Sequence, residues 1–163
     1  IYLSGYEIAV RDGNLISIMT TYGMVNGTFT AGNYDLNTAI LRGQWGYGGL
    51  VMTDWWACFS VNDKGEPDRN DLAAMVRAQN DLAMVREDTL KENGNDNLLE
   101  SLKSGAVTRA ELHRCAKNIL NVIMRTPALD RWLGRLHEEE IAASKEAEAD
   151  FKMGIVWESN EDN

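Results

Sequence analysis

The run Gly49-Leu50-Val51-Met52-Thr53-Asp54-Trp55-Trp56 limits the possible folds of this chain more than any other. Leu50 to Thr53 is continuous rather than alternating in polarity, so the strand it forms has both faces covered. Such a strand belongs to a parallel sheet with helices on either side. Two other segments fit the same sheet. Leu15 to Tyr22 reads as a strand that ends in polar residues and Gly23, and Leu82 to Val85 as a third, shorter one.

Helical spacing fills the intervals. The opening segment is helical, with Asp12-Gly13 as its stop. Tyr34 to Trp45 follows, placing Leu36, Ala39, Ile40 and Gly43 on one stripe, and then Asp71 to Gln79, with Leu72, Met75 and Val76 facing a core. Asn97 to Lys103 is closed by Gly105 in the left-handed C-terminal position. Thr108-Arg109-Ala110-Glu111 is a capping box, behind which Leu112, Cys115, Ala116, Ile119, Leu120 and Ile123 keep helical spacing. Pro127 kinks or ends that helix, and a further one runs through Trp132. Asn26-Gly27 and Gly32-Asn33 carry turn chemistry, and Ala57 to Asn70 reads as a polar loop. Phe151 to Trp157 is a strand or unstructured. The order α-β-α-β-α-β-α-α calls for parallel pairing through right-handed crossovers. Three strands do not close a barrel of eight, which takes about 250 residues. The pattern therefore fits a small open α/β sheet and the last part of a barrel equally well.

With 44% hydrophobic and 25% charged residues, the 163-residue chain has the composition of a soluble globular domain. No stretch approaches the roughly 18 apolar residues of a membrane span. The opening has neither an initiator methionine nor a signal segment, so the chain reads as a piece of something longer. Nine acids and two lysines from His137 to Asn163 account for -7 of the net charge of -9. A nearly neutral body with an acidic tail excludes nucleic acid as a partner, because phosphate binding needs clustered Lys and Arg. We expect residues 1–134 to form the folded domain and 135–163 an acidic extension, helical or disordered. Cys58 and Cys115 match no metal spacing; as free thiols they favour a reducing, cytoplasmic compartment.

Chemistry in parallel α/β folds gathers at the carboxyl ends of strands. Tyr22, Asp54-Trp55 and Arg86-Glu87-Asp88 stand at three such ends. Taken singly, Asp54 reads as a cap or loop acceptor, Trp55 and Trp56 as loop anchors, and Tyr22 as a satisfied core residue. Together they fit sugar chemistry. Indole faces stack on the apolar C–H faces of a sugar ring, while an ionised Asp beside them can stabilise or attack an anomeric carbon with oxocarbenium character. A neighbouring Tyr hydroxyl can position that carboxylate and keep it ionised.

The run SIMTTYGMVNGTFTAGNYDLNTAILRGQWGYGGLVMTDWW resembles the glycoside hydrolase family 3 pattern around its nucleophile. That pattern has an S-Y-N…N-G segment, then L-R-x-x-W-G-[FY]-x-G, then [ST]-D-W. The resemblance continues through Ala78-Gln79-Asn80-Asp81-Leu82 and Leu98 to Ile123, covering roughly residues 1–125. It implies a (β/α)8 TIM barrel, of which this chain would hold about the last three βα units plus C-terminal helices. It also implies Asp54 as catalytic nucleophile, Tyr22 beside it and Trp55 bordering the sugar subsite. Arg42, Trp45 and Gly46 match as structural residues, Asn26 and Gly27 as loop-shaping ones.

The departures carry information. Gly23 replaces an asparagine, and the family's Lys-His segment and its upstream Asp and Arg have no counterpart here. The general acid/base has none either; Asp63, Glu66 and Asp68 on the loop after Asp54 match no motif for it. Where the family runs into a Gly-Leu-Phe linker, this chain has MRTPALDRWLG. The reading is a fragment of a retaining β-glycosidase acting on a β-glucoside or β-xyloside, with no metal or organic cofactor and with the remainder of a parent chain as partner. The alternative is a non-catalytic carbohydrate-binding or structural α/β fragment, inactive without the missing barrel half and acid/base. A transferase or phosphorylase would share the same intermediate.

Overall fold

The computed structural model describes residues 2–84, 96–135 and 142. The chain divides into two compact units, Ile1–Val122 and Ile123–Asn163. The sheet of the first is built on parallel pairing. Strand β1 (Ser17–Met19) lies beside β4 (Leu50–Met52), with Ile18 opposite Val51. The ladder extends beyond both strands: Thr20 N–H donates to Met52 O at 2.8 Å and Asp54 N–H to Thr20 O at 3.1 Å. Gly49 sets the approach, since a Cβ there would lie 2.3 Å from Ile16 O. On its other side β4 meets the third apolar segment in a single parallel bridge, Met52 to Leu82, with Thr53 N–H donating to Leu82 O at 3.0 Å. That segment is shorter than its sequence promised, and Val85 lies outside the described residues, as do Arg86-Glu87-Asp88 and Phe151 to Trp157.

Most of the helices stand where their spacing put them. Helix α1 is Ser4–Arg11 and α2 is Leu72–Arg77, the latter capped by Asp71, whose carboxylate accepts from Ala74 N–H. Helix α3 is Leu98–Ser104, closed by Gly105 at φ 81°. Helix α4 is Arg109–Ile123, opened by the reciprocal Thr108–Glu111 box: Thr108 N–H donates to Glu111 Oε2 at 2.8 Å and Glu111 N–H to Thr108 Oγ1 at 3.2 Å. In the second unit Pro127 begins a separate helix, α5 (Pro127–Trp132), where its missing N–H costs nothing.

Three segments differ from their sequence reading. Asp35–Gln44 winds as a π-helix, with Trp45 N–H reaching back five residues to Ile40 O at 3.0 Å. The wider turn moves the buried face to Asn37 and Leu41 and leaves Ala39 and Gly43 exposed. The Asn26-Gly27 turn forms a hairpin between β2 (Met24–Val25) and β3 (Thr28–Phe29), both turn residues at positive φ as a type I′ turn requires. The polar segment after Asp54 is also no plain loop: β5 (Ser60–Val61) pairs antiparallel with β6 (Pro67–Asp68), and the Asn62 side chain accepts from Lys64 and Glu66 N–H to shape the turn.

Two apolar clusters flank the sheet. One gathers Phe59, Met75, Val76, Val107 and Cys115 between α2, α3 and α4; the other gathers Leu41, Tyr47 and Val51 between the π-helix and β4. Val51 and Thr53 are fully buried on one face of the strand, and Leu50 and Met52 on the other are partly covered, less than the continuous apolar run led us to expect.

Candidate functional site

Strand β4 delivers Asp54 to the carboxyl end of the sheet, and the segment after β1 delivers Tyr22 to the same place. The Tyr22 hydroxyl donates to Asp54 Oδ1 at 3.0 Å. Trp55 N–H donates to that same oxygen at 2.8 Å. Two donors thus hold Oδ1, while Oδ2 has no partner among the described residues. The carboxylate is neither sunk in the core nor free on the surface: Asp54 is half-buried, with Tyr22 at 55% and Trp55 at 43% exposure around it. Partial burial raises the Tyr22 phenol above its ordinary value, and the hydrogen bond to Asp54 and its negative charge push the same way, against Arg69. The phenol therefore stays a donor across the neutral range.

The backbone under these side chains is tied down repeatedly. Asn80, completely buried, donates through Nδ2 to Thr20 Oγ1 at 3.0 Å and to Ala31 O at 3.2 Å. Thr30 Oγ1 donates to Thr21 O at 2.7 Å and accepts from Thr21 N–H at 3.0 Å, which fixes the residue before Tyr22. On the other arm, Thr53 is buried and its hydroxyl accepts from Met84 N–H at 2.8 Å. Asp54 thus follows a strand held on both edges. Beyond it the chain turns sharply: Trp56 sits at φ 55°, a left-handed conformation that costs a bulky L-residue about 1–2 kcal/mol, and the residue is 53% exposed.

Sequence reading missed the charged group beneath the site. Asp81 has a fully buried side chain and three donors: Val51 N–H at 3.0 Å, Asn118 Nδ2 at 2.8 Å and Arg42 at 2.5 Å. Arg42 further donates to Gln79 O at 3.1 Å and Gly49 O at 3.1 Å, and its guanidinium lies over the Tyr47 ring at 5.7 Å. Burial pushes the Asp81 carboxyl above its ordinary value, with Val51 N–H, Asn118 and Arg42 opposing. The same burial, aided by Asp81, pushes the Cys115 thiol up to about 12, which leaves it inert. An acid directly before the apolar segment that begins at Leu82 was the available signal.

Two of the three candidate acids after Asp54, Glu66 and Asp68, are occupied locally. Glu66 Oε2 accepts from Asn62 Nδ2 at 3.2 Å and Asp68 Oδ1 from Asn70 N–H at 2.7 Å. Gly23, where an asparagine was anticipated, uses its backbone instead, donating to Thr21 Oγ1 at 3.1 Å and accepting from Thr30 N–H at 3.1 Å.

Residues 1–122 match the family model described as the glycosyl hydrolase family 3 N terminal domain. The chain belongs to glycosyl hydrolase family 3. Among the relatives of this family 3 chain, a β-glucosidase of Ruminococcus albus is 56% identical over 142 residues, 86% of this chain and 15% of that protein. β-Glucosidase B of Emericella nidulans is 34% identical over 125 residues, 77% of this chain and 13% of that protein. In structure, a β-glucosidase of Paenibacillus barengoltzii superposes with a TM-score of 0.73 at 51% identity, covering 79% of this chain and 14% of that one. β-Glucosidase 3B of Thermotoga neapolitana, in complex with α-D-glucose, gives a TM-score of 0.66 at 29% identity, covering 83% and 18%. The family 3 chain thus spans about 15% of the length of the relatives it matches. These neighbours share its mixed α/β fold.

Proposed function

We propose that this chain is the nucleophile-bearing part of a retaining β-glycosidase, supplying about the last three βα units of a (β/α)8 barrel to a longer protein. One observation carries the reading: a half-buried strand-end carboxylate with one oxygen pinned by two donors and the other without a partner among the described residues. Double displacement needs that arrangement. Oδ2 of Asp54 attacks C1 as the glycosidic bond breaks, an acid supplied from elsewhere protonates the leaving oxygen, and water then releases the sugar. Tyr22 and Trp55 N–H keep the carboxylate aimed while its charge is spent in the covalent ester. Trp55 borders the pyranose. The names of the relatives favour a β-glucoside as substrate. A retaining site places its second carboxyl roughly 5–5.5 Å from the first. No residue of this chain matches a motif for that acid, so the 163-residue chain alone turns over nothing.

The test is covalent trapping in the complete protein. A 2-fluoro β-glucoside with a good leaving group slows both steps but lets the first proceed, so the intermediate accumulates. Peptide mass spectrometry places the fluorosugar on Asp54, and Asp54→Ala loses the label together with nearly all hydrolysis of an aryl β-glucoside. A label on another carboxylate, or an active Asp54→Ala variant, rejects the assignment.

A further inference from the structure

Resting on the glycosidase reading, we infer that Thr30 is a positioning residue for the reaction: its hydroxyl and its N–H clamp the chain on both sides of Tyr22 and so aim the phenol at Asp54. Tyr22 lies on a link of three exposed residues, Thr21 to Gly23, between β1 and β2. Packing therefore does little to fix its ring, yet its hydroxyl meets Asp54 Oδ1 at 3.0 Å. Hydrogen bonds on both flanks supply the hold, and they run to one residue. Thr30 Oγ1 accepts from Thr21 N–H at 3.0 Å and donates to Thr21 O at 2.7 Å, taking both backbone groups of the residue before Tyr22. Thr30 N–H donates to Gly23 O at 3.1 Å, taking the residue after it. Thr21 Oγ1 closes the bracket, accepting from Gly23 N–H at 3.1 Å and lying 3.3 Å from Thr30 Oγ1.

The hairpin itself does not require this use of Thr30. Its pairing is complete at Met24–Phe29 and Val25–Thr28, and Thr30 falls beyond it, in a single 3-10 turn, Thr30–Gly32. That turn is anchored independently of Tyr22. Thr30 O accepts from Nδ2 of the buried Asn37 of the π-helix at 2.8 Å, and Ala31 O from Asn80 Nδ2 at 3.2 Å. A Cβ on Gly32 would lie 2.0 Å from Phe59 O, so the turn is pressed against the chain that leads on from Asp54. Thr30 is buried, while the three residues it brackets are exposed. A fixed point inside the fold thus sets the place of a side chain outside it, and the placement of a reacting group matters on a scale of about 1 Å. The chemistry of the side chain is specific as well. One oxygen takes an N–H and a C=O of the same residue only if it accepts and donates at once, which a hydroxyl does and the isosteric valine does not.

The experiment is a double-mutant cycle between Thr30 and Tyr22 in the complete protein, read as kcat/KM on an aryl β-glucoside. Thr30→Val should lower kcat/KM roughly three- to tenfold, the effect of losing one aimed hydrogen bond. In a Tyr22→Phe background the same substitution should change kcat/KM by less than about twofold, because the bond that Thr30 aims is already gone. Thr30→Ser, which keeps the hydroxyl, should recover most of the loss. Thr30→Ala carries the same cycle where the valine variant does not fold. A residue that only supports the fold would give the same fold-loss in both backgrounds. That result overturns the inference, as does an unchanged kcat/KM in Thr30→Val, or a Thr30→Ser variant as impaired as Thr30→Val. Failure of both the valine and the alanine variants to fold overturns it too, and makes Thr30 a folding residue. A wild-type protein that hydrolyses no aryl β-glucoside overturns the glycosidase reading, and the inference with it.

Discussion

Asp81→Asn tests whether the buried charge under β4 holds the strand that carries Asp54. The substitution keeps the shape and an acceptor for Val51 N–H but leaves Arg42 uncompensated at 9% side-chain exposure. Breaking a buried ion pair by removing one partner costs about 3–5 kcal/mol. We take about 3 kcal/mol, the low end of that range, because Arg42 keeps carbonyl partners at Gln79 and Gly49. A loss of about 3 kcal/mol in local opening free energy is roughly two decades in exchange rate. Hydrogen-exchange mass spectrometry on peptides spanning β4 in the complete protein reads this directly. Those peptides should exchange about a hundredfold faster in the variant, while α1, which contributes no residue to the network, should not change. The double variant Arg42→Met/Asp81→Leu should lie closer to wild type than either single one. Burial pushes Asp81 upward despite its donors, so the charge is incompletely compensated and an apolar pair of similar volume restores much of what one deletion removes. Exchange within threefold of wild type in Asp81→Asn would show that the network does not hold the strand.

Two other outcomes follow from single side chains. Tyr22→Phe removes one of the two donors to Asp54 Oδ1 but keeps the ring, so kcat/KM on an aryl β-glucoside should fall roughly five- to tenfold, the low end for a half-exposed bond to a charged group; an unchanged value would remove Tyr22 from the site. Burial raises the Asp71 carboxyl, but hydrogen bonds from Ser60, Asn97 and Ala74 N–H, with Arg77 nearby, outweigh it and set its folded value below the ordinary one. That contribution is present above the unfolded carboxylate range and lost as pH falls through the depressed folded value, so the acid arm of a stability-versus-pH curve should flatten in Asp71→Asn.

The elements that could be read from the sequence are those whose signals are local. The Thr108–Glu111 box and the left-handed Gly105 act within a few residues, so the start of α4 and the end of α3 appear in the residue string itself, whereas Asp71, read as part of its helix, caps α2 instead. The continuous apolar run of Leu50 to Met52 disclosed a strand whose Val51 and Thr53 face is buried, while Leu50 and Met52 on the other face are only partly covered. What escaped was set by distance. In the π-helix Thr38 and Arg42 donate to Ala78 O and Gln79 O some 40 residues on, and a 3.6-residue period cannot register contacts of that range. The β2–β3 hairpin could have been read from Asn26-Gly27, but strands of two residues carry too little alternation to be separated from a turn. The burial of Asp81 could not be read locally, because its partners come from the π-helix, β4 and α4.

Asp54 and Asp81 show how one residue type is put to two uses in a single sheet. Both stand beside β4, and both are bonded to its backbone or the residue that follows it. Asp81 has donors on each of its oxygens, with the cation Arg42 among them, so proton transfer or attack on an electrophile would first have to break a packed network. Such a carboxylate does structural work. Asp54 has both donors on Oδ1 and none on Oδ2 among the described residues, and no cation is bonded to it there. Its orientation is fixed, yet one lone-pair face stays available at the surface. Rigid support on one oxygen, and no donor on the other among the described residues, suit the proposed nucleophile, and the buried Asp81 braces the strand that carries it.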